Sequence, residues 1–271
     1  MRWQDFEYSA EKFLKKLSNE KVNIHGPLEG AGGSNANTVD LKIFKNNQLK
    51  FNIEIKKCES QISQFVVKKD EINSTFNLGN LKSPAEYKTV KILDHMRKNY
   101  EYYKFPSRSG IKLKCEDSLI YECIDDYLKE KDIEFILTSD RENNFFLVHK
   151  NKFKKNFKVH GSYRLKKSGT RHIPKNRAVS VINFFEQKFQ RASLRNDNKG
   201  VIINFNGSTS IRKNEKINFE DTEYHLSKIK NSNSYYIKIK SKTNNPTVIF
   251  TIELISKPYN EDNTLYLEMI N

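Results

Sequence analysis

Cysteine is scarce in this chain of 271 residues, and its three copies are scattered. Cys58, Cys115 and Cys123 form no CxxC pair, and an odd number of thiols fits neither a disulfide framework nor a structural zinc site. This scarcity excludes the small disulfide-rich and zinc-finger classes of protein. We expect three reduced, buried thiols.

Long apolar runs are also absent. No stretch approaches the roughly 18 consecutive apolar residues that a membrane-spanning helix needs, and residues 1–7 (MRWQDFE) lack the apolar core of a signal peptide. We therefore expect a cytosolic protein. Wholesale disorder is excluded as well, because 18 Phe and 13 Tyr supply large side chains to a hydrophobic core.

Acidic residues are outnumbered, with 33 Asp and Glu against 48 Lys and Arg, which gives a formal net charge of +15. A surface this positive recruits phosphate backbones because binding releases their counterions. The composition therefore predicts a polyanionic partner, with nucleic acid favoured over an anionic membrane surface.

One long segment has no acidic residue at all. Residues 143–185 contain eleven cations and no carboxylate to neutralise them. The cations are Lys150, Lys152, Lys154, Lys155, Lys158, Arg164, Lys166, Lys167, Arg171, Lys175 and Arg177. Because solvated surfaces usually mix the two signs, this segment predicts a DNA-contacting surface rather than an ordinary charged face.

Within that segment, residues 161–172 (GSYRLKKSGTRH) combine glycines, hydroxyl side chains and cations. Lys, Ser, Thr and backbone amides bind phosphates, whereas Arg can pair with the guanine edge, so we expect one loop that both positions and reads DNA. The candidate contacts are Ser162, Arg164, Lys166, Lys167, Ser168, Arg171 and His172, with the arginines and Lys167 foremost.

Apolar spacing and turn residues predict the order of the elements. Helices are expected at 3–17, 83–100, 119–129 and 178–191. Strands are expected at 38–44, 49–56, 133–138, 145–149, 201–205, 234–239, 248–255 and 264–269. Because the sequence becomes strand-rich beyond about residue 195, we assign residues 196–271 to a β-rich C-terminal region, either separate from the preceding domain or part of it.

The strands at 38–44 and 49–56 form a predicted hairpin around a short polar turn. Asp40 lies in the first strand, and strand alternation sends Glu54 and Lys56 of the second strand to one side. Two carboxylates suit Mg²⁺, and a neighbouring lysine can stabilise charge or orient an attacking water, so the set could hydrolyse a phosphodiester bond. The alternative is an exposed charged hairpin face.

These residues resemble the PD-(D/E)xK nuclease superfamily, whose core is a helix, a hairpin carrying Asp and (Asp/Glu)-x-Lys, and a further helix packed on a mixed sheet. The match here is Asp40 followed by Glu54-Ile55-Lys56, with Glu11 of the first helix as a further catalytic acid. The family's proline before the aspartate is absent, since Val39 stands there.

The approach to Asp40, residues 31–40 (AGGSNANTVD), resembles the glycine-serine approach to the catalytic aspartate in some type II restriction endonucleases. It adds Ser34 and Asn35 as candidate DNA contacts. Gln61 and Gln64, just past the hairpin, could orient a phosphate or contact a base, although a polar helix surface would also explain them.

The resemblance implies an α/β fold with a central mixed β-sheet flanked by helices, in which residues 1–195 form the nuclease core. It implies Mg²⁺-dependent, sequence-specific cleavage of double-stranded DNA, with Asp40 and Glu54 holding the metal and Lys56 beside the attacking water. The implied partners are double-stranded DNA, a second copy of the chain in a possible homodimer, and a cognate DNA methyltransferase, with no membrane.

Two alternatives stay open. A nuclease with the same core could act on junctions, damaged DNA or single strands, and a non-catalytic protein could bind DNA with ordinary surface charges on the hairpin. Zinc hydrolysis and nucleotide hydrolysis find no support, because the sequence has no HExxH or HxH unit and no GxxxxGK[ST] loop.

Overall fold

The computed structural model describes residues 3–26, 39–79, 87–167, 169–190, 192–197, 200–205, 216–229, 232–257 and 261–271. The chain divides into two units, Met1–Leu165 with Pro246–Asn271 and Lys166–Asn245. This division differs from the boundary expected between residues 195 and 196, because the chain leaves the first unit earlier and later returns to it.

The helices are α1 (Trp3–Leu17), α2 (Tyr87–Lys98), α3 (Tyr100–Tyr103), α4 (Asp117–Glu130), α5 (Phe153–Asn156), α6 (Ala178–Lys188) and α7 (Glu261–Ile270). The strands are β1 (Val22–His25), β2 (Leu41–Lys45), β3 (Gln48–Ile55), β4 (Gln61–Asp70), β5 (Thr75–Leu78), β6 (Ile111–Lys112), β7 (Ile133–Ser139), β8 (Phe145–His149), β9 (Phe157–Lys167), β10 (Thr170–His172), β11 (Ala192–Asp197), β12 (Gly200–Phe205), β13 (Ile217–Phe219), β14 (Thr222–Lys228), β15 (Ser234–Lys240) and β16 (Asn244–Leu254). In the parts of the chain described, no helix is long and apolar enough to cross a membrane.

The central sheet of the first unit has the strand order β1-β2-β3-β7-β8. Its neighbours pair antiparallel except β3 and β7, which run parallel, so the sheet is mixed. The predicted β2–β3 hairpin turns at Asn46 and Asn47, whose φ values of 51° and 61° lie in the left-handed region. Two-residue hairpin turns of type I′ require positive φ at both positions, and asparagine tolerates it.

Strand alternation divides the side chains of β3 between the two faces of the central sheet. Ile53 and Ile55 pack into a core that includes Phe6 and Leu14 of α1 and Tyr266 of α7. The side chains at alternate positions of the same strand therefore point towards the opposite face.

That opposite face is covered by α2, α4 and a second sheet with the strand order β5-β4-β16-β9-β6. Ile136 of β7 packs there with Ile124 and Leu128 of α4 and with Phe250 of β16. Because β16 pairs with β4, the chain re-enters the first unit after residue 245.

The second unit contains an antiparallel sheet with the order β11-β12-β15-β14-β13, and β10 pairs with β15. Helix α6 covers it, with Val181 and Phe185 packed against Val201, Ile203 and Tyr224. The predicted strands at 201–205 and 234–239 are therefore confirmed, and the C-terminal region is strand-rich.

Residues 264–269 were expected to form a strand, and this prediction is wrong, because they lie in α7. Asp262, Tyr266 and Ile270 are buried at helical spacing. The Tyr266 ring lies 5.8 Å from the ring centroids of both Phe51 and Phe135. Packing against the central sheet therefore overrides the local strand preference of this segment.

The expected loop at 161–172 is also wrong. Residues 161–167 continue β9, and residues 170–172 form β10. On β9 the buried side chains alternate with more exposed ones, so Phe157, Val159 and Tyr163 face the core. Gln61 and Gln64 likewise lie on strand β4 and not on a helix surface.

All three cysteines are free thiols, as expected. Cys123 is buried, whereas Cys58 and Cys115 are only partly buried, which corrects the expectation of three buried thiols.

The central sheet should depend on the β3 face that packs against α1 and α7. We expect Ile53→Ala to lower the free energy of unfolding by roughly 2–5 kcal/mol, since it removes apolar contacts and leaves a cavity. Leu49→Ala on the same strand is the control, because Leu49 is 44% exposed and should change stability little. Equal losses in urea unfolding of the two variants would contradict this account.

Candidate active site

Asp40 is held at the mouth of the hairpin. It lies immediately before β2, and the backbone N–H of Ile55, at the end of β3, donates a hydrogen bond of 2.9 Å to its Oδ2. The bond crosses the hairpin, so the carboxylate of Asp40 lies beside the residues that follow the end of β3.

Glu54 and Lys56 meet Asp40 there. The Nζ of Lys56 lies 2.6 Å from Glu54 Oε1 and 3.6 Å from Asp40 Oδ2. Glu54 is 2% exposed and Lys56 is 9% exposed. The three side chains therefore converge, as strand alternation predicted, and their burial does not fit the alternative of an exposed hairpin face.

Two further side chains reach this cluster from α4 and from the turn after it. The hydroxyl of Tyr127 donates a hydrogen bond of 2.6 Å to Glu54 Oε1. Lys131 Nζ lies 3.9 Å from Glu54 Oε2 and 4.8 Å from the centroid of the Tyr127 ring. Sequence analysis missed both residues because Tyr127 is 73 positions away from Glu54.

Asn52 fixes the backbone of that turn to β3. Its Nδ2 donates a hydrogen bond of 3.0 Å to the carbonyl oxygen of Lys131. Asn52 shares a strand face with Glu54, so the same strand that carries the carboxylate also holds the segment that carries the second lysine.

Burial shapes the ionisation of the cluster. Burial, reinforced by the charge of Glu54, raises the pKa of Asp40, and the positive charge of Lys56 offsets only part of that increase. Burial would lower the pKa of Lys56, but the charges of Glu54 and Asp40 outweigh it and raise that pKa. Burial and the charge of Glu54 also raise the pKa of Tyr127, so its hydroxyl stays protonated and can donate.

The donor set fits a divalent cation. Lys56 and Tyr127 both donate to Oε1 of Glu54, whereas Oε2 is buried and accepts no hydrogen bond in the described structure. Lys131 is the ion-pair partner of Oε2 at 3.9 Å, beyond hydrogen-bond distance, so this oxygen keeps its lone pairs for a ligand, and Mg²⁺ prefers such oxygens. Asp40 and Glu54 are the residues that could hold the ion.

Glu11, the further acid suggested by the family resemblance, forms an ion pair of 2.7 Å with Lys15, one turn along α1. Among the residues described, no group of three or more His, Cys, Asp or Glu side chains is placed to hold a metal. The structure therefore supports a site with two carboxylates and does not bring in a third.

The candidate DNA contacts are spread over both units. Ser34, Asn35 and Ser168 lie outside the described residues. Gln64, Ser162 and Arg164 belong to the first unit. Lys166, Lys167, Arg171 and His172 belong to the second unit, where the side chains of Arg171 and His172 on β10 are exposed. Their contact with DNA stays a prediction.

Neither a protein-family model nor a curated protein matches this chain. A solved structure does: that of HhaI endonuclease in complex with DNA is similar with a TM-score of 0.76 and 27% sequence identity, over 100% of this chain and 99% of the HhaI chain. The fold is therefore restriction-endonuclease-like. The predicted α/β class, with a mixed sheet flanked by helices, is confirmed.

The raised pKa of Asp40 has a consequence for stability. The ordinary pKa of an aspartate is 3.8, and the pKa of Asp40 in the folded chain is higher. Above pH 3.8 the unfolded chain therefore binds this proton less than the folded chain does, and the contribution of Asp40 to folding stability falls as the pH rises. We expect Asp40→Asn, which retains an acceptor for the Ile55 N–H, to raise Tm at pH 7 by roughly 2–4 °C, with a smaller gain at pH 4.

The control for this experiment is Asp94→Asn, because Asp94 has a half-exposed side chain on α2. Calorimetry of both variants at the two pH values makes the comparison. A Tm gain for Asp40→Asn that is larger at pH 4 than at pH 7 would contradict the sign of the Asp40 pKa shift.

Proposed function

We propose that this chain is a sequence-specific, Mg²⁺-dependent endonuclease that hydrolyses phosphodiester bonds in double-stranded DNA. The observation that carries the proposal is the convergence of Asp40, Glu54 and Lys56 at the end of the β2–β3 hairpin. The net charge of +15 and the likeness to a DNA-bound endonuclease support DNA as the substrate.

Asp40 and Glu54 would hold Mg²⁺, and the two carboxylates would act from fixed positions. The ion, when bound, supplies positive charge that polarises a phosphoryl oxygen and acidifies water. The backbone N–H of Ile55 orients Asp40, and Tyr127 orients Glu54, so neither carboxylate has to reorganise when DNA binds.

Lys56 would act on the reacting phosphate as a cation. Its raised pKa keeps the ammonium protonated at neutral pH, so it donates hydrogen bonds and does not act as a general base. From its place between the two carboxylates, it can stabilise the negative charge that develops on the phosphate and orient the attacking water.

A homodimer and a cognate DNA methyltransferase belong to the same proposal. Sequence-specific cleavage of cellular DNA would harm the host unless that DNA were protected. Two copies of the chain would allow both strands of a symmetric site to be cut.

The first test is a digest of unmethylated phage DNA with and without Mg²⁺, analysed on a gel. We expect discrete, Mg²⁺-dependent fragments, whose mapped ends give the recognition site. Cleavage confined to junctions or single strands would favour a structure-specific nuclease, and a mobility shift without cleavage would favour a DNA-binding protein.

Substitution of the three central residues should separate chemistry from binding. We expect Asp40→Ala, Glu54→Gln and Lys56→Ala each to lower the cleavage rate at least about 100-fold, because the first two remove a carboxylate that would hold the metal ion and the third removes the cation that would act on the phosphate. DNA binding measured by fluorescence anisotropy without Mg²⁺ should change little. Normal cleavage by Asp40→Ala would overturn the assignment of the site.

Tyr127 should act as a positioning residue for Glu54. We expect Tyr127→Phe to raise the Mg²⁺ concentration needed for half-maximal cleavage about 10- to 100-fold, since Glu54 loses the donor that orients it. The matched control is Tyr121→Phe on the same helix, because the Tyr121 hydroxyl donates to the Phe157 carbonyl, away from the cluster. An unchanged Mg²⁺ requirement in Tyr127→Phe would show that its hydroxyl is merely structural.

A further inference from the structure

The connection between α3 and β6, residues 104–110, carries an unusually exposed aromatic ring. Phe105 is 74% exposed, although most Phe side chains described in this chain lie in its cores. A single exposed apolar side chain is common on protein surfaces and needs no explanation by itself. The residues around Phe105 are the reason to consider it part of a binding surface.

Two lysines lie close to this ring, and each also forms an ion pair with a glutamate, Lys69 with Glu71 and Lys104 with Glu101. Lys69 Nζ lies 4.7 Å from the ring centroid, and Lys104 Nζ lies 5.3 Å from it. Lys114 Nζ lies 4.0 Å from the centroid of the partly exposed Tyr102 ring nearby in the sequence. Residues 102–115 contain four Lys and Arg and no acidic residue. A segment whose charges are all positive favours a polyanion as its partner.

The connection is attached to a strand that carries predicted DNA contacts. The backbone N–H of Leu165 on β9 donates a hydrogen bond of 3.0 Å to the carbonyl of Ser107. Gly110 has a φ of +93°, and a Cβ there would lie 3.1 Å from Cβ of Arg164. The close approach of the two backbones therefore places residues 104–110 beside Arg164.

Strand pairing extends the same surface. Lys112 on β6 lies opposite Ser162 on β9, and cross-strand partners point to the same side of a sheet. Arg164, two positions beyond Ser162, shares that side. Arg108 and Lys112 are exposed, and neither has an ion-pair partner among the residues described.

The loop is also preorganised. The Oγ of Ser107 accepts a hydrogen bond of 3.1 Å from the backbone N–H of Gly110, and Pro106 fixes its own φ and restricts the backbone of Phe105 before it. A rigid loop loses little conformational entropy when it binds, so its aromatic ring can contact a ligand at low cost.

We propose that residues 104–112 form a DNA-contacting surface in which Phe105 packs against a base or deoxyribose while Arg108 and Lys112 bind phosphates. This inference rests on the proposed function, since it assigns contacts to the same substrate. The surface lies outside the acid-free segment 143–185 but adjoins its strand β9.

Binding of a fluorescein-labelled DNA duplex in EDTA, followed by anisotropy over a range of salt concentrations, tests the two kinds of contact separately. We expect Phe105→Ala to weaken binding about 5- to 100-fold with an unchanged salt slope, since stacking involves no counterions. Phe105→Tyr should retain binding. Arg108→Ala and Lys112→Ala should each reduce the slope of log K against log salt by about 0.9.

The controls are Tyr8→Ala and Lys12→Ala on α1, which covers the other face of the central sheet. Tyr8 is 69% exposed and Lys12 is exposed, so they match the tested side chains in chemistry and accessibility. Thermal unfolding of every variant, expected to match that of the wild type, excludes misfolding.

Wild-type affinity in Phe105→Ala would overturn the inference and leave the proposed function standing. Altered self-association of Phe105→Ala in sedimentation, with unchanged DNA affinity, would show that the ring contacts a protein and would also overturn it. Failure of the wild-type chain to bind duplex DNA would overturn the inference and the proposed function together.

Discussion

The ionic contact between Lys56 and the two carboxylates is the constraint on which the first unit depends. Burial of Glu54 without a cation would carry a large desolvation penalty, and Lys56 reduces that penalty at a distance of 2.6 Å. The hairpin must therefore bring Asp40 alongside the end of β3, and α4 must present Tyr127 to Oε1 of Glu54, the oxygen that Lys56 also contacts. The buried carboxylate of Glu54 thus connects the central sheet to helix α4.

The alternation of side chains along β3 explains how this charged cluster lies next to a hydrophobic core. Ile53 and Ile55 fill the core beneath α1 and α7, while Glu54 points to the opposite face. A shift of β3 by one residue would exchange these roles and place a carboxylate among Phe6 and Leu14. The register of β3 is thus specified by hydrophobic packing on one face and by ion pairing on the other.

Local patterns predicted much of the first unit. Apolar periodicity predicted α1 and α4, and the polar Asn46-Asn47 pair predicted the hairpin, because those signals lie within a few residues of each other. The strand expected at 264–269 is a helix, since its conformation is selected by the packing of Tyr266 on Phe51 and Phe135. Packing between segments that lie more than a hundred residues apart produces no pattern in the local sequence.

The same reasoning applies to the candidate site. Asp40, Glu54 and Lys56 could be proposed from the sequence because a hairpin brings residues that are close in the sequence into contact. Tyr127 and Lys131 could not, because a crossover through the second sheet separates them from β3. The glycines and cations of 161–172 suggested a loop. Buried residues at alternate positions, such as Val159 and Tyr163, instead continue strand β9 as far as Lys167.

The return of the chain to the first unit bears on the order of events during synthesis. Tyr266 and Ile270 of α7 belong to the same core as α1, and β16 lies within the second sheet between β4 and β9. Both elements are synthesised after the other described elements of the first unit, so the face of Ile53 stays partly uncovered until α7 is made, and the face of Glu54 until β16 is made. The surroundings of the hairpin site are therefore completed only after residues 244–271 have been synthesised.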